Sequence, residues 1–86
     1  MLSDIFEACD RLVHDARNAD AILELVQGAD RIEELSVPFG FDRAGWQALI
    51  GQIGALRELL EAYGELDVDT ATEQARVLRD ALRSLV

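Results

Sequence analysis

The sequence predicts an all-α protein, a compact antiparallel four-helix bundle formed by one domain of residues 1–86. In four segments, apolar residues recur at spacings of three and four, which places them on one side of a helix. Proline occurs once, and Val, Ile and Thr never alternate with polar residues as they do in strands. The connecting segments are short, which favours antiparallel packing of consecutive helices.

The first predicted helix begins at Ser3, a favourable N-cap residue, and ends at a break near Asn18–Asp20. The break is required because a helix continued past Asn18 would place the Asp20 carboxylate on the apolar side. The side expected to be buried consists of Leu2, Ile5, Phe6, Cys9, Leu12, Val13 and Ala16.

The second predicted helix runs from about Asp20 to Leu35. Gly28 lies in its middle, and the acid-x-x-Glu pattern from Asp30 to Glu33 is typical of a capping arrangement. The sequence therefore leaves two alternatives open: one continuous helix, or two short helices that meet at Gly28. The residues expected to face inward are Ile22, Leu25, Val26, Ala29 and Ile32.

Residues 36–41, with the sequence SVPFGF, are predicted to form a loop, because Pro38 disfavours helical backbone at the residue before it. Phe39 and Phe41 are more apolar than an exposed loop requires, so we expect them to cover one end of the core. Gly40 relieves the backbone between the two aromatic residues.

The third predicted helix is the central one, because it contains the only Trp and no charged residue from 44 to 56. Asp42 is its predicted N-cap, and Phe41 and Trp46 occupy the two positions of a hydrophobic staple. Gly64 suits the C′ position after its last turn. Its buried face is expected to contain Trp46, Leu49, Ile50, Ile53, Leu56, Leu60 and Tyr63.

The opposite face of this helix carries small residues, namely Ala44, Ala48, Gly51 and Ala55. This helix has two interior glycines, Gly51 and Gly54, and each costs it about 0.5–1 kcal/mol relative to alanine. Close packing by another helix of the same chain, contact with a second subunit, and no role at all are three explanations for these glycines. We take the four small residues as candidate partner-binding residues and expect a homodimer with its two-fold axis near Gly51.

The fourth predicted helix starts with a capping box from Thr70 to Glu73 and continues to the end of the chain. Its arginines, Arg76, Arg79 and Arg83, lie along one side. Its inward residues are expected to be Ala71, Ala75, Leu78, Leu82 and Leu85.

The net charge of −9 is concentrated in residues 1–35, which carry −6, and every cation is an arginine. Such a protein is repelled by phosphate backbones and anionic lipid, so direct nucleic-acid and membrane binding are not expected. A basic protein partner is compatible with this charge. The candidate acidic contact residues, outward on helix 1, are Asp4, Glu7, Asp10 and Asp15.

No catalytic, cofactor-binding or metal-ligating group is predicted. The single histidine, His14, has no companion at ligand spacing, and the single cysteine, Cys9, falls on the apolar side of helix 1. An unpaired cysteine fits a reducing cytoplasm. The first ten residues lack the basic region of a secretory signal, and no apolar segment is long enough to span a membrane.

The segment Gly40-Phe41-Asp42 resembles the approach to the attachment motif of acyl carrier proteins, which are small, acidic and helical. Arg43 occupies the position of the serine that such a carrier requires, so this sequence departs from the family at the decisive residue. Bacteriocin immunity proteins are similar in size, acidity and helicity, but not in residue motifs.

The sequence therefore favours a non-enzymatic protein–protein interaction module, such as an adaptor, regulatory or chaperone-like protein that acts through helix surfaces. The alternative is an acidic inhibitor or immunity-type protein that blocks a basic nucleic-acid-binding site on its target. Ionic strength distinguishes the two hypotheses, because salt weakens a charge-driven contact far more than helix packing.

Overall fold

The computed structural model describes residues 2–34, 37, 40–62, 65 and 67–84. These residues form four helices and no strand: α1 (Leu2–His14), α2 (Ala19–Glu33), α3 (Arg43–Glu61) and α4 (Val68–Arg83). The predicted all-α four-helix bundle is therefore confirmed.

The helices pack in a closed ring, α1 against α2, α2 against α3, α3 against α4, and α4 against α1. The first two helices run antiparallel, since Ile5 lies against Gly28 while Arg11 forms an ion pair with Glu24 at 2.8 Å. In this ring α1 lies across the bundle from α3.

The last two helices also run antiparallel. Ala48, near the start of α3, lies beside Ala81, near the end of α4, whereas Ala55 lies beside Gln74. Among the residues with described side chains, the fully buried ones are all apolar. The predicted inward residues supply most of this core, and its largest buried side chains are Ile5, Leu12, Leu25, Ile32, Ile53, Leu56, Leu60, Leu78 and Leu82.

The predicted break between the first two helices is confirmed, at residues 15–18. Asn18 is the N-cap of α2, and its Oδ1 accepts a hydrogen bond from the Ala21 amide at 3.1 Å. Ala16 is buried as expected, although it lies in the connection and not in a helix. The predicted N-cap at Ser3 is wrong, because α1 already includes Leu2 and Ser3 lies in its first turn.

The predicted start of the fourth helix is also wrong. Its N-cap is Asp67, three residues before Thr70, and the Asp67 carboxylate accepts hydrogen bonds from the Thr70 amide (3.1 Å) and the Thr70 hydroxyl (2.8 Å). A carboxylate accepts two such bonds better than a hydroxyl does, so the helix begins at Val68 and includes Thr70 in its first turn.

Gly28 does not divide α2, which is continuous through it. A Cβ atom at this position would lie 2.8 Å from Cγ1 of Ile5, closer than two carbon atoms can pack. Glycine is therefore required here for the close approach of α1 and α2, and the alternative of two short helices is wrong.

The predicted N-cap at Asp42 is confirmed, since its Oδ1 accepts a hydrogen bond from the Gly45 amide. Gly40, in the loop before it, has a φ of 93°, a left-handed conformation that glycine adopts without strain. Six residues named in the sequence predictions lie outside the described part of the chain: Leu35, Pro38, Phe39, Tyr63, Gly64 and Leu85.

Candidate interaction surface on α3 and α4

The four small residues predicted to bind a partner lie together on the outer side of α3, which we call the α3 face. All four are exposed: Ala44, Ala48, Gly51 and Ala55. They are exposed because the large residues of the same helix, among them Trp46 and Ile53, turn its opposite side into the core. The helical period thus separates a large buried side from a small exposed one.

The interior glycines of α3 have open space beyond them. Among the residues that the structure describes, an ideal Cβ atom at Gly51 or Gly54 would find no atom within 4 Å, apart from its chain neighbours and the nearby backbone of its own helix. The explanation that another helix of the same chain packs against this side is therefore wrong for these two positions. Contact with a second molecule and the absence of any role remain as explanations.

A shallow groove adjoins the α3 face, between α3 and α4, and its first part is mostly apolar. One part has a volume of about 240 Å³ and is bounded by α3 and by the exposed side of α4. A second part, about 260 Å³, continues toward the start of α3, and Gln52 lines both parts. This α3–α4 groove is lined by Phe41, Gly45, Ala48, Leu49, Gln52, Ala55, Glu73, Gln74, Val77, Leu78 and Ala81.

Val77, on the wall of this groove, is a residue of the candidate surface that sequence reasoning missed. Its side chain is 50% exposed, although valine is usually buried. The signal was present in the sequence, because Val77 lies off the apolar side of α4 that Ala75 and Leu78 define. Val77 therefore adds exposed apolar surface to the wall of the α3–α4 groove.

Two charged residues border the α3 face, Arg43 at its start and Glu58 near its end, and both are exposed. Neither has an ion-pair partner within the described residues. Arg57 is different, because its guanidinium contacts Asp30 on α2 and donates to Glu61 at 3.1 Å. The hydrogen bond to Glu61 raises the pKa of Arg57 above its ordinary value.

The four acidic candidates do not lie on one surface. Asp4 and Glu7 border a polar depression of about 270 Å³ between α1 and α2. Asp10 instead faces α4, where its Oδ1 lies 3.3 Å from a guanidinium nitrogen of Arg79. Asp15 lies in the connection after α1, and its Oδ1 accepts a hydrogen bond from the Arg17 amide.

Cys9 and His14, the two residues considered for chemistry, lie on different sides of α1, one buried and one exposed. Cys9 is fully buried, and this burial raises the pKa of its thiol to about 12, although the charge of Arg79 opposes the shift. The thiol is therefore protonated at neutral pH and is a poor nucleophile. His14 is exposed, and its Nδ1 donates to the main-chain oxygen of Asp10 at 2.8 Å.

Within the described ranges, no three His, Cys, Asp or Glu side chains cluster as metal ligands would. No helix in this part of the chain combines the length and the apolar character needed to cross a membrane. Comparisons with protein-family models, curated proteins and solved structures give no match to this chain.

Proposed function

We propose that this chain is a non-enzymatic protein–protein interaction module, an adaptor, regulatory or chaperone-like protein that binds through helix surfaces. The binding surface is the α3 face together with the α3–α4 groove. The observation that carries this proposal is the half-exposed Val77 beside a helix whose outer side is uncharged from residue 44 to 56. Exposed apolar surface next to a groove is typical of protein interaction sites.

The character of the polar residues supports a non-enzymatic role. A catalytic group needs a partly buried polar environment that shifts its pKa toward its task. In the described residues the buried side chains are apolar, and the buried thiol of Cys9 is shifted away from reactivity. A cytoplasmic setting belongs to the same proposal, because a reducing compartment keeps this single cysteine in its thiol form.

The proposal is tested by affinity capture from the source cells, followed by mass spectrometry. Val77→Glu places a charge in the groove, and its matched control is Leu23→Glu on α2, because Leu23 is exposed to a similar extent, 55% against 50%. We expect Val77→Glu to lose a specific protein partner that the wild type and the control retain. Equal capture by all three proteins would show that the α3–α4 groove is not the binding surface.

The alternative, an acidic inhibitor of a basic site, has a narrower basis. Asp4 and Glu7 are exposed along the polar depression between α1 and α2, where Glu24 adds a third carboxylate. Arg31 lines the same depression, and Arg11 already pairs with Glu24, so cations of the chain itself offset part of this acidity.

A further inference from the structure

We propose that the partner of this surface is a second copy of the chain, with the two α3 helices packed antiparallel about a two-fold axis near Gly51. This inference rests on the proposed interaction function and names its partner. Three features support it: the α3–α4 groove, the charges that border the α3 face, and the open space around the glycines of α3.

Two copies can associate on the α3 side of the bundle only if the acidic residues of α1 point away from the contact. Two molecules of net charge −9 repel each other. The outer side of α3 carries no charge between Ala44 and Leu56, and α1, with its acids, lies across the bundle. Glu73, the acid that lines the adjoining groove, is paired with Arg76 at 2.7 Å. The bundle is about 20 Å wide, while charges are screened over about 8 Å at physiological salt.

The charges that border the α3 face are complementary to themselves under two-fold symmetry. Arg43 and Glu58 lie at nearly equal distances before and after Gly51, roughly 12 and 10 Å along the axis at 1.5 Å per residue. They are 15 residues apart, or about 4.2 helical turns, so their side chains point within about 60° of each other around the helix axis. Antiparallel packing about Gly51 brings Arg43 of each copy opposite Glu58 of the other, which forms two ion pairs.

The glycines and the groove complete the contact. Because a Cβ at Gly51 or Gly54 would meet no described atom within 4 Å beyond its chain neighbours and the nearby backbone of α3, a second helix backbone can approach there more closely than against larger residues. The α3–α4 groove beside this line of contact carries Val77, whose exposed half then becomes covered. Apolar burial supplies the affinity, and the ion pairs set the register.

The test is the dimer dissociation constant, measured by sedimentation equilibrium from about 1 to 200 μM, a range that covers weak specific association. We expect the wild type to form dimers. Arg43→Glu and Glu58→Arg should each weaken dimerisation about tenfold or more, because each places like charges opposite each other twice. The double variant, Arg43→Glu with Glu58→Arg, reverses both ion pairs, so its dimer dissociation constant should return to within about threefold of the wild-type value.

Matched controls are Arg17→Glu and Glu7→Arg, which change the net charge equally at exposed positions, in the connection after α1 and on α1 itself, the helix across the bundle from α3. They should leave dimerisation nearly unchanged. Gly51→Leu should also split the dimer, while circular dichroism shows that each subunit stays helical. Loss of helical signal in that variant would show that Gly51 is internal and would overturn the inference.

The outcomes separate this inference from the proposed function. A wild type that is monomeric at 200 μM, or a double variant as weak as the single ones, overturns the symmetric dimer. If Val77→Glu still loses a different protein partner, the interaction function stands without self-association. If the wild type is monomeric and Val77→Glu loses no partner, both proposals are wrong.

Discussion

The Phe41 ring meets the Trp46 ring edge to face, with centroids 5.2 Å apart and planes inclined by 67°. Phe41 precedes the N-cap of α3 and Trp46 lies in its first turns, so this contact is the hydrophobic staple that the sequence predicted. Trp46 is 2% exposed. The contact therefore sets the direction in which the chain enters α3 and anchors that helix to the core.

Trp46→Ala should lower the free energy of unfolding by about 3–5 kcal/mol, because it removes a large buried side chain and leaves a cavity. Urea unfolding followed by circular dichroism measures this change. Phe41→Ala is the control and should cost less, since Phe41 is only partly buried. A Trp46→Ala variant with wild-type stability would mean that the large side of α3 does not face the core.

Gly28 and Gly51 should respond in opposite directions to the same substitution. Gly28→Ala should destabilise the protein, because the added methyl group meets Ile5 at 2.8 Å. Gly51→Ala should stabilise the monomer by about 0.5–1 kcal/mol, since alanine favours helix and the added methyl group meets no side chain among the described residues.

Thermal unfolding at about 1 μM measures both glycine variants, at a concentration where a weak dimer is dissociated. The comparison is internally controlled, because the two positions carry an identical change in two helices. Stabilisation by both substitutions would indicate that Ile5 moves aside easily and that α1 and α2 need no close approach.

Asp67 should make the stability of α4 depend on pH. The hydrogen bond from the Thr70 amide, reinforced by the Thr70 hydroxyl, holds the pKa of Asp67 below its ordinary value. A lowered native pKa stabilises the fold above the unfolded-state value of 3.8, and this contribution is lost as the pH falls through the native pKa.

Asp67→Asn isolates this effect, because asparagine keeps a capping oxygen but does not titrate. The variant should be less stable than the wild type at pH 7, and the difference should shrink as the pH falls below 3.8. Thermal unfolding from pH 7 to pH 2 gives the two curves. Curves that stay parallel over this range would contradict a pH-dependent cap at Asp67.

If the chain is an acidic inhibitor, the double variant Asp4→Arg and Glu7→Arg should abolish binding to a basic protein captured by the wild type. The wild-type affinity should also fall steeply between low and high salt. Asp10 is left unchanged, because an arginine there would face Arg79 and disturb the packing of α1 on α4.

The matched control for the acidic surface is the double reversal of Glu33 and Glu34, which are exposed at the end of α2 and give the same net charge. If binding survives the Asp4→Arg and Glu7→Arg double variant but is lost in this control, the acidic contact lies at the end of α2. Binding that survives both, with little dependence on salt, would exclude an electrostatic inhibitor.

Local pattern determined the helices and their buried sides. The spacing of Trp46, Leu49 and Ile53 predicted which side of α3 is buried, and Asp42 predicted where the helix starts. These features are decided within a few residues of sequence, by the 3.6-residue period and by the unpaired amides of a first turn. They could therefore be predicted without knowing any neighbouring helix.

Only the tertiary structure decided what each glycine does. Gly28 and Gly51 are both interior helix glycines in sequence, yet the first lies against Ile5 and the second faces open space. Likewise, Asp10 looked like its acidic neighbours on α1, but α4 brings Arg79 to it alone. The period of a helix specifies the side a residue occupies, whereas distances between helices depend on which side chains meet from distant parts of the chain.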